Sequence, residues 1–563
     1  MTGSYILLES LLKEEVETIF GYPGGQIIPV FDALYDYKDK LNHILVRHEQ
    51  GATHAAQGYA RVSGKPGVVL LTSGPGATNA ITGIADAMMD STPMVVIAGQ
   101  VPTEALGSDA FQETDLVGIT QPITKWSYQI RSAEDIAWAV ARAFYIATTG
   151  RPGPVVLDFT KNAQNENLEE FTYQKCQFIR SYIPNIDIDN SKINEAVNII
   201  NNSKRPLAII GQGVILANAE EEVLDFLEKG NIPAATTLMG LSAIPTDHPL
   251  NKGMVGMHGN VGPNMMTNQC DVLIAIGMRF SDRVTGNLKT YAKQAKVIHF
   301  DIDPCEIGKN VKPTVGVLGD VKKTIKEVYE KMNNNVHYEW INSFATYENR
   351  EQDKVVKKEI NPIDGRLHMG EVVRKVSEAS NKCAVLVTDV GQNQIMATRY
   401  FQFSRSRSVI TSGGLGTMGF GLPAAIGAKI GAPERTVCCF CGDGGFQMTL
   451  QELGTILQSK IGVKIIVLNN NKLGMVRQWQ ELFFNERYSF TDMINPDFTL
   501  IAKAYGIGTA EVNTSEELDS AIKDMFKDDK PYLLVANVEK KGLVFPMTPG
   551  GTDVTNILLE KKQ

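Results

Sequence analysis

Short apolar runs that end in glycine-rich or polar turns alternate along the chain with stretches of helical character. In the C-terminal third, the apolar run 437–441 leads into the glycine turn 442–445, and a second run, 463–468, follows a helical stretch and ends beside Asn470. Two strands joined by such a crossover are parallel neighbours in one sheet. Because parallel neighbours end at the same edge, we predict that Asp443 and Asn470 lie close together.

The N-terminal region repeats this layout. Residues 68–72 form an apolar run that leads into the glycine turn 73–77, and a helical stretch to Met89 precedes the next apolar run, 94–98. Strands that alternate with helices in this way indicate an α/β domain with a mostly parallel sheet. The repeat predicts that the N- and C-terminal domains are related to each other.

A third unit of the same kind is predicted between these two, with strands that begin near Pro206, Val272 and Val297. The predicted fold class is therefore α/β, with three doubly wound domains whose sheets are mostly parallel. The expected domain limits are 1–165, 190–345 and 366–545, followed by a tail at 546–563.

Polar segments separate the predicted domains. Residues 162–190 are rich in asparagine and glutamate and indicate a linker, and the charged run 345–366 indicates a second linker with a solvated helical face. The tail contains Pro549-Gly550-Gly551, which predicts a mobile segment that closes over a site.

Composition narrows the class of protein. The 563 residues are too many for one hydrophobic core, and 43% hydrophobic with 21% charged residues is typical of soluble globular proteins. The net charge of −8 argues against nucleic acid as a general partner. No apolar run reaches the roughly 18 residues of a membrane span, and the chain begins directly with an amphipathic pattern, so we expect no signal or transit peptide.

An odd number of cysteines, seven, and the absence of a predicted secretion signal predict reduced thiols and a cytoplasmic location. We interpret the cluster Cys438, Cys439 and Cys441 as small apolar side chains of a buried strand rather than as a metal site. His48 and His54 do not have the spacing of a zinc protease motif.

The glycine turn beside Asp443 suggests a site for a hard cation and a diphosphate. Carboxylate and amide oxygens suit such a cation, and turn N–H groups at a helix start suit phosphate. The alternative is an ordinary α/β turn with a solvated aspartate. The segment resembles the glycine–aspartate–glycine and paired-asparagine motif of thiamine-diphosphate enzymes. That resemblance implies Mg²⁺ bound by Asp443, Asn470 and the main-chain carbonyl of Lys472.

Glu49 stands where a predicted strand, 41–47, meets a helix rich in small residues. The resemblance implies that this glutamate hydrogen-bonds N1′ of the aminopyrimidine and promotes loss of the C2 proton. A buried carboxyl that faces a ring nitrogen should share a proton with it. The alternative is a carboxylate that caps the helix. Since the family builds each site from two subunits, a homodimer or larger homo-oligomer is implied.

Further positions match cofactor-contacting residues of the family. Met418, in the segment 412–423, is expected to wedge between the two rings of the cofactor, and core packing is the alternative. The other matched thiamine diphosphate positions are Gly25, Gly391, Gln392, Gly416, Gly442, Gly444, Gly445, Gly474 and Met475. Asn393 stands where many relatives have histidine, which leaves the role of that imidazole open.

Stretches at 20–26, 109–113, 150–154, 279–286 and 474–480 resemble one branch of that family, the biosynthetic acetolactate synthase large subunits. The implied reaction decarboxylates pyruvate and joins the remaining two-carbon unit to a second pyruvate or to 2-ketobutyrate. The products, 2-acetolactate and 2-aceto-2-hydroxybutyrate, feed branched-chain amino acid biosynthesis. A separate small regulatory subunit is also implied.

Several side chains have substrate roles by this resemblance. A guanidinium at Arg283 suits the carboxylate of the second keto acid, and a flat apolar wall at Trp479 suits an ethyl rather than a methyl side chain. Gln112 is expected to hydrogen-bond reaction intermediates, while Lys161 and Phe111 belong to the entry channel. The alternatives are an ion pair between Arg283 and Asp282 and core packing for Trp479.

The central domain of this branch binds FAD without net redox chemistry. The matching positions are Arg151, Gly211, Gly213, Met257, His258, Arg279, Val284, Asp301 and Asp320. Gln212 interrupts a usual triple glycine, and Ser281 replaces a usual aspartate. The rival interpretations are a pyruvate oxidase that reduces its flavin, a catabolic acetolactate synthase without FAD, and an inactive scaffold subunit.

Overall fold

The computed structural model of the chain describes residues 1–561 and contains three six-stranded sheets. All strand pairs within these sheets are parallel. Helices flank each sheet, so central strands are buried on both faces and read as continuous apolar runs. This arrangement confirms the predicted α/β class with three doubly wound units.

The N-terminal sheet has the order β2-β1-β3-β4-β6-β5. Its strands are β1 (Thr18–Gly21), β2 (Asn42–Leu45), β3 (Gly67–Leu71), β4 (Met94–Gln100), β5 (Trp126–Ile130) and β6 (Pro154–Thr160). Its helices are α1 (Gly3–Lys13), α2 (Ile28–Leu34), α3 (Glu49–Ser63), α4 (Pro75–Asn79), α5 (Ile81–Met89), α6 (Leu116–Thr120), α7 (Glu134–Thr148) and α8 (Lys161–Asn165).

The central sheet has the order β12-β11-β10-β7-β8-β9. Its strands are β7 (Pro206–Ile210), β8 (Ala234–Thr236), β9 (Asn251–Met254), β10 (Val272–Ile276), β11 (Lys296–Asp301) and β12 (Val315–Leu318). Its helices are α9 (Asn190–Asn201), α10 (Gln212–Leu216), α11 (Glu220–Gly230), α12 (Val261–Thr267), α13 (Asp282–Thr285) and α14 (Val321–Lys331). The strand order reverses between β7 and β10, and sheets of this order bind dinucleotides at that reversal.

Helices also cover the segment predicted as a solvated linker. They are α16 (Ala345–Glu351) and α17 (Lys357–Ile360), joined by a wider π-helical turn at Gln352–Val356, and α15 (Tyr338–Ser343) precedes them. Val355, Val356 and Glu351 are buried, and Glu351 forms an ion pair with Arg399. Arg350, Asp353, Lys354, Lys357 and Lys358 are exposed, so the charged run has the predicted solvated face. Glu351 departs from the prediction, because this side of the segment packs against the domains that it joins.

The C-terminal sheet has the order β14-β13-β15-β16-β18-β17, which repeats that of the N-terminal sheet strand for strand. Its strands are β13 (Val385–Thr388), β14 (Val409–Ile410), β15 (Val437–Gly442), β16 (Val463–Asn469), β17 (Gly508–Val512) and β18 (Tyr532–Asn537). Its helices are α18 (Met369–Ala379), α19 (Gln392–Tyr400), α20 (Gly421–Gly431), α21 (Asp443–Thr449), α22 (Leu453–Ser459), α23 (Gly474–Phe483), α24 (Phe498–Ala504) and α25 (Ser515–Met525). The shared order confirms that the two outer domains are related.

The outer domains meet through α3 and α20. The two helices touch at reciprocal glycines: a Cβ at Gly58 would collide with the carbonyl oxygen of Ala424, and a Cβ at Gly427 would collide with that of Ala55. Only glycine permits backbones to approach so closely. The small residues of α3, which the sequence pattern singled out, therefore form a contact between domains.

The described part of the C-terminal tail, residues 546–561, is docked on the rest of the chain. The N–H of Thr548 donates to the carbonyl oxygen of Met257 at 2.7 Å, and Met547 pairs with Leu558. No helix within residues 1–561 is long and apolar enough to cross a membrane.

Candidate active site

A small cavity lies at the carboxyl ends of β13, β15 and β16. Eleven predicted cofactor or metal positions line it: Gly391, Gln392, Met418, Gly442, Asp443, Gly444, Gly445, Asn470, Lys472, Gly474 and Met475. β15 and β16 are parallel neighbours, with Gly442 opposite Leu468, which brings the turns after both strands to one edge. The cavity formed by one chain holds about 60 Å³, which is far less than a thiamine diphosphate needs.

Asp443 is the first residue of α21, and its side chain is buried. Its Oδ1 accepts the N–H of Gly444 at 3.0 Å, and its Oδ2 accepts the side-chain amide of Asn495 at 2.7 Å. Burial raises the pKa of Asp443, and these hydrogen bonds oppose that rise. A cation beside the carboxylate would relieve the unfavourable burial of its charge.

Asn470 is buried at the same edge. Its Nδ2 donates to Gln392 Oε1 at 3.3 Å, and its Oδ1 accepts the N–H of Lys472 at 3.1 Å. In residues 1–561 no group of three or more histidine, cysteine, aspartate or glutamate side chains could hold a metal. One carboxylate, one amide and a carbonyl fit a magnesium ion whose remaining ligands are phosphate oxygens and water.

Glycines are required around this cavity. A Cβ at Gly474 would collide with Gln392 Oε1, one at Gly445 would collide with Asp389, and Gly391 has φ of +124°. These positions bring main-chain N–H groups close to any ligand, as phosphate cradles do. Asn393, which replaces the histidine of many relatives, donates to the carbonyl oxygen of Val390 at 3.1 Å, and its own Oδ1 is buried without a partner.

Asp389 organises the loop that carries Met418, a role that the sequence reading missed. Its fully buried carboxylate accepts the N–H of Gly419 at 3.0 and 3.1 Å and that of Gly421 at 3.0 Å. Asp389 follows β13 directly, so its place at the functional edge of the sheet was the available signal.

The N-terminal domain holds the same loop from the other side. Asp90, which follows α5, accepts the N–H groups of Gly413 and Gly414 at 2.8 and 2.7 Å. Asp86 accepts the hydroxyl of Thr417 at 2.9 Å. The loop that ends at Met418 is therefore fixed by carboxylates of two domains.

The predicted N-terminal site residues form a separate group. Lys161 Nζ donates to the carbonyl oxygen of Gly25 at 3.3 Å. Gln112 packs against the turn at Gly74, where a Cβ would lie 3.0 Å from Gln112 Cα. Gln112 has φ of +64°, a strained value for a residue with a side chain. The adjacent Phe111 is 84% exposed, an unusual position for a large apolar ring.

Glu49 occupies the first turn of α3 and is partly exposed. The capping role falls to His48, whose Nδ1 accepts the N–H of Gln50 at 3.2 Å. Glu49 Oε2 accepts the side-chain amide of Asn79 at 3.0 Å, a partner that the sequence reading missed. Neither Glu49 nor Gln112 lines the small cavity of its own chain.

A second cavity, of about 1120 Å³, lies at the strand reversal of the central sheet. The predicted flavin positions that line it are Arg151, Gly213, Met257, His258, Arg279, Val284, Asp301 and Asp320. Gly211 lies just behind them, where a Cβ would collide with the carbonyl oxygen of Gly277. A long crevice over closely packed glycines at this reversal is typical of dinucleotide sites.

The large cavity also reaches residues of the C-terminal domain. Gly416, Met475 and Trp479 of that domain line it beside Arg283 of the central domain, and Met475 lines the small cavity as well. Met475 and Trp479 are four residues apart on α23 and therefore face the same side. The first turns of α23 form the wall between the two cavities.

Polar groups of the large cavity have defined partners. His258 Nδ1 lies 3.1 Å from the carbonyl oxygen of Pro546, and a carbonyl only accepts, so Nδ1 carries the proton. Burial lowers the pKa of His258 to about 4. Arg283 is exposed, and its Nε lies 3.7 Å from Asp282 Oδ2, a weak surface pair that leaves the guanidinium available.

Comparisons with known proteins define the class first. The chain matches the N-terminal TPP binding domain of thiamine pyrophosphate enzymes over residues 1–119, their central domain over 193–328 and their C-terminal TPP binding domain over 389–536. One match falls on each of the three domains, so the fold is that of a thiamine-pyrophosphate-dependent enzyme.

Relatives over the full length narrow that class. The chain is 43% identical over 575 aligned positions to a probable acetolactate synthase large subunit of Methanococcus aeolicus, which covers 99% of this chain and 95% of the relative. It is 42% identical to the acetolactate synthase large subunit of Buchnera aphidicola subsp. Schizaphis graminum, with 100% and 99% covered. It is 41% identical to the acetolactate synthase isozyme 2 large subunit of Escherichia coli K12, with 99% of each covered. The chain belongs to the acetolactate synthase large-subunit family.

Proposed function

We propose that the protein is the catalytic subunit of a biosynthetic acetolactate synthase. It decarboxylates pyruvate and joins the two-carbon unit to a second pyruvate or to 2-ketobutyrate, on the route to valine, leucine and isoleucine. The observation that carries this proposal is helix α23. Met475 lines both cavities, and Trp479 lines the larger one together with Arg283. A carboligase needs such a second pocket beside the cofactor, whereas a simple decarboxylase does not.

The C-terminal cavity is proposed to hold Mg²⁺ and the diphosphate end of thiamine diphosphate. Asp443, Asn470 and the carbonyl of Lys472 are the metal ligands, and Met418 supports the bend between the rings. When bound, thiamine diphosphate supplies the carbon nucleophile and the electron sink for decarboxylation. The role of the protein residues is to bind, orient and exclude water, and Glu49 holds a proton at N1′.

The second keto acid is proposed to bind between Arg283 and Trp479. The guanidinium pairs with its carboxylate, and the indole supports its side chain, so that the reacting carbon faces the cofactor. Gln112 hydrogen-bonds the reacting oxygen atoms. Lys161 and Phe111, on the N-terminal edge, flank the route by which the acid enters.

The complete site is proposed to form between two copies of the chain. Glu49, Gln112 and Lys161 lie at one sheet edge, while the diphosphate cavity of the same chain lacks all three. That cavity is also too small for the whole cofactor. The second half of each site therefore comes from a second chain, which gives a homodimer or a larger homo-oligomer.

Further partners follow from the relatives. They are named large subunits, so we propose that a separate small subunit regulates this chain. The seven cysteines have free thiols, which suits the reducing cytoplasm.

The crevice of the central domain is proposed to bind FAD that remains oxidised during turnover. Its length, its glycine contacts and the acidic residue Asp301 at the end of β11 fit an extended dinucleotide. Arg151 already pairs with Asp303 at 3.1 Å and Glu306 at 3.0 Å, so it borders the crevice as part of a fixed network.

The direct test combines product analysis with flavin spectroscopy. Purified protein with pyruvate, thiamine diphosphate and Mg²⁺ should form acetolactate, and added 2-ketobutyrate should divert product to acetohydroxybutyrate. The flavin spectrum should stay oxidised without oxygen. Flavin bleaching with release of carbon dioxide and no acetolactate would identify a pyruvate oxidase instead. Full activity in colourless protein that gains nothing from FAD would identify the catabolic branch.

A further inference from the structure

A buried carboxylate of the C-terminal domain reaches the start of the helix that carries Glu49. Glu452 ends the 3-10 turn Leu450–Glu452 that joins α21 to α22, and it is fully buried. Its two oxygens accept the main-chain N–H of Arg47 at 3.1 and 3.2 Å. Arg47 precedes Glu49 by two residues. A side chain of one domain thus fixes the backbone that leads into α3 of another domain.

The surroundings of Glu452 show that this contact is tight. A Cβ at Gly51 would lie 2.5 Å from Glu452 Oε1, so the first turn of α3 rests against the carboxylate. The hydroxyl of Thr455 donates to Oε2 at 2.7 Å and orients it. The guanidinium of Arg47 donates to the carbonyl oxygen of Gly454 at 2.9 Å and to Gln458 Oε1 at 2.7 Å. The junction is therefore held at both its main chain and its side chain.

Keeping a carboxylate at this place is unfavourable unless it is fully hydrogen-bonded. Burial raises the pKa of Glu452 to about 7, and the hydrogen bonds from Thr455, Arg47 and His48 oppose that rise. The start of a helix also favours a negative charge. An apolar side chain would fill the same space without the cost of burying a charge. We therefore infer that the hydrogen-bond acceptor at position 452 is needed for a function.

We propose that Glu452 is a positioning residue for Glu49. It touches neither substrate nor cofactor, and it fixes the first turn of α3 so that the Glu49 carboxyl meets the atom with which it exchanges a proton. This inference rests on the proposed function, in which Glu49 acts on bound thiamine diphosphate. The contact joins two domains of one chain, so it is complete before any second copy is present.

The test separates placement of Glu49 from binding of the cofactor. Glu452→Asp keeps the charge but shortens the reach to the Arg47 N–H. C2 hydrogen–deuterium exchange of bound thiamine diphosphate should slow about tenfold, the scale of a misplaced catalytic group, while cofactor affinity by calorimetry stays within about twofold. In cofactor-free protein, amide exchange at residues 47–52 should become faster.

Matched variants make the result specific. Glu371→Asp alters another buried glutamate, whose partners are Ser515 and Lys375, and should leave C2 exchange unchanged. Glu452→Gln keeps the reach and should recover most of the rate. Thr455→Val removes the hydroxyl that orients Oε2 and that also lies 3.3 Å from the carbonyl oxygen of Leu45. It should slow exchange about threefold, so it provides the same test if Glu452→Asp does not fold.

Glu49→Gln, measured in parallel, separates the two ways to fail. Normal exchange in Glu49→Gln would remove Glu49 from the mechanism and with it the basis of the inference. Slow exchange in Glu49→Gln with normal exchange in Glu452→Asp would overturn the positioning role alone. Equal losses of exchange and cofactor affinity in Glu452→Asp would also overturn it, because they would mark a general structural defect.

Discussion

The two outer domains have the same strand order but different chemistry at the same place. In each, the helix after the third strand begins at the functional edge of the sheet. That first helical residue is Asp443 in the C-terminal domain and Pro75 in the N-terminal domain. Only the carboxylate can ligate a cation. The fold therefore provides the position, and the residue type at that position decides the chemistry.

The domains also differ in what they fix in each other. Asp86 and Asp90 of the N-terminal domain hold the loop before Met418, on the diphosphate side. Glu452 of the C-terminal domain holds Arg47, on the side of Glu49. Since each domain supports residues that we propose contact the cofactor from the other domain, damage to one support should affect one property of the site and spare the other.

The largest expected effect tests the difference between Asp443 and Pro75. Asp443→Ala should weaken binding of thiamine diphosphate by about 10³-fold, because the metal loses its only carboxylate ligand. High Mg²⁺ should restore little affinity. Calorimetry measures the binding, and far-ultraviolet circular dichroism checks the fold. Pro75→Ala, at the matching position, should bind normally, and normal binding by Asp443→Ala would disprove the metal assignment.

The next effect tests the chemistry of the N-terminal edge. Glu49→Gln keeps the shape of the side chain but removes its ability to hold the proton. C2 exchange of bound thiamine diphosphate should slow about 10²-fold, the scale of lost acid–base catalysis, while affinity changes little. Glu113→Gln alters a nearby carboxylate that bonds only the main chain of its own loop and should not slow exchange by more than a few-fold.

A smaller effect is expected at the wall between the cavities. Trp479→Leu should still form acetolactate from pyruvate alone, because decarboxylation precedes contact with the second keto acid. In competition, its ratio of acetohydroxybutyrate to acetolactate should fall about tenfold, as for loss of one methylene contact. Phe483→Leu, whose ring lies 4.9 Å from that of Trp479, is the control. An unchanged ratio in Trp479→Leu would assign the preference elsewhere.

The smallest effect compares the two supports directly. Thr417→Val removes one hydroxyl that donates a hydrogen bond to Asp86, so the free energy of unfolding should fall by about 1 kcal/mol. The affinity for thiamine diphosphate should fall about threefold, while the rate of C2 exchange of the bound cofactor should stay normal. Thr455→Val should show the opposite pattern, with slower exchange and normal affinity. If both variants changed the same property, the supports would not be specialised.

Sequence patterns predicted the α/β class and the relation of the outer domains, because apolar strand runs and glycine turns are local signals. They also placed the turns after β15 and β16 at one edge, since a helical crossover makes such strands parallel. Asn495, Asp389 and Glu452 were missed. Their partners lie tens to hundreds of residues away, and nothing local separates a buried carboxylate or amide from a solvated one.

Glu351 also shows that sequence patterns do not predict which charged residues are buried. It lies in a run of charged residues that reads as solvated, yet it is 3% exposed and accepts the N–H of Val261 at 2.6 Å and the amide of Asn260 at 2.9 Å. Charge predicts exposure only on average. A buried ion pair such as that of Glu351 with Arg399 is decided by tertiary contacts.

The reciprocal glycines of α3 and α20 have a consequence for folding. Because Gly58 and Gly427 place two backbones in direct contact, any larger residue at either position must separate the helices along their length. If one outer domain were removed, the other would expose the helix that packs there, α3 or α20. It would also lose the hydrogen-bond partners of the carboxylates that cross the interface. The outer domains should therefore unfold in a single cooperative transition, and neither should be stable when expressed alone. Two domains with the same strand order would then form one thermodynamic unit.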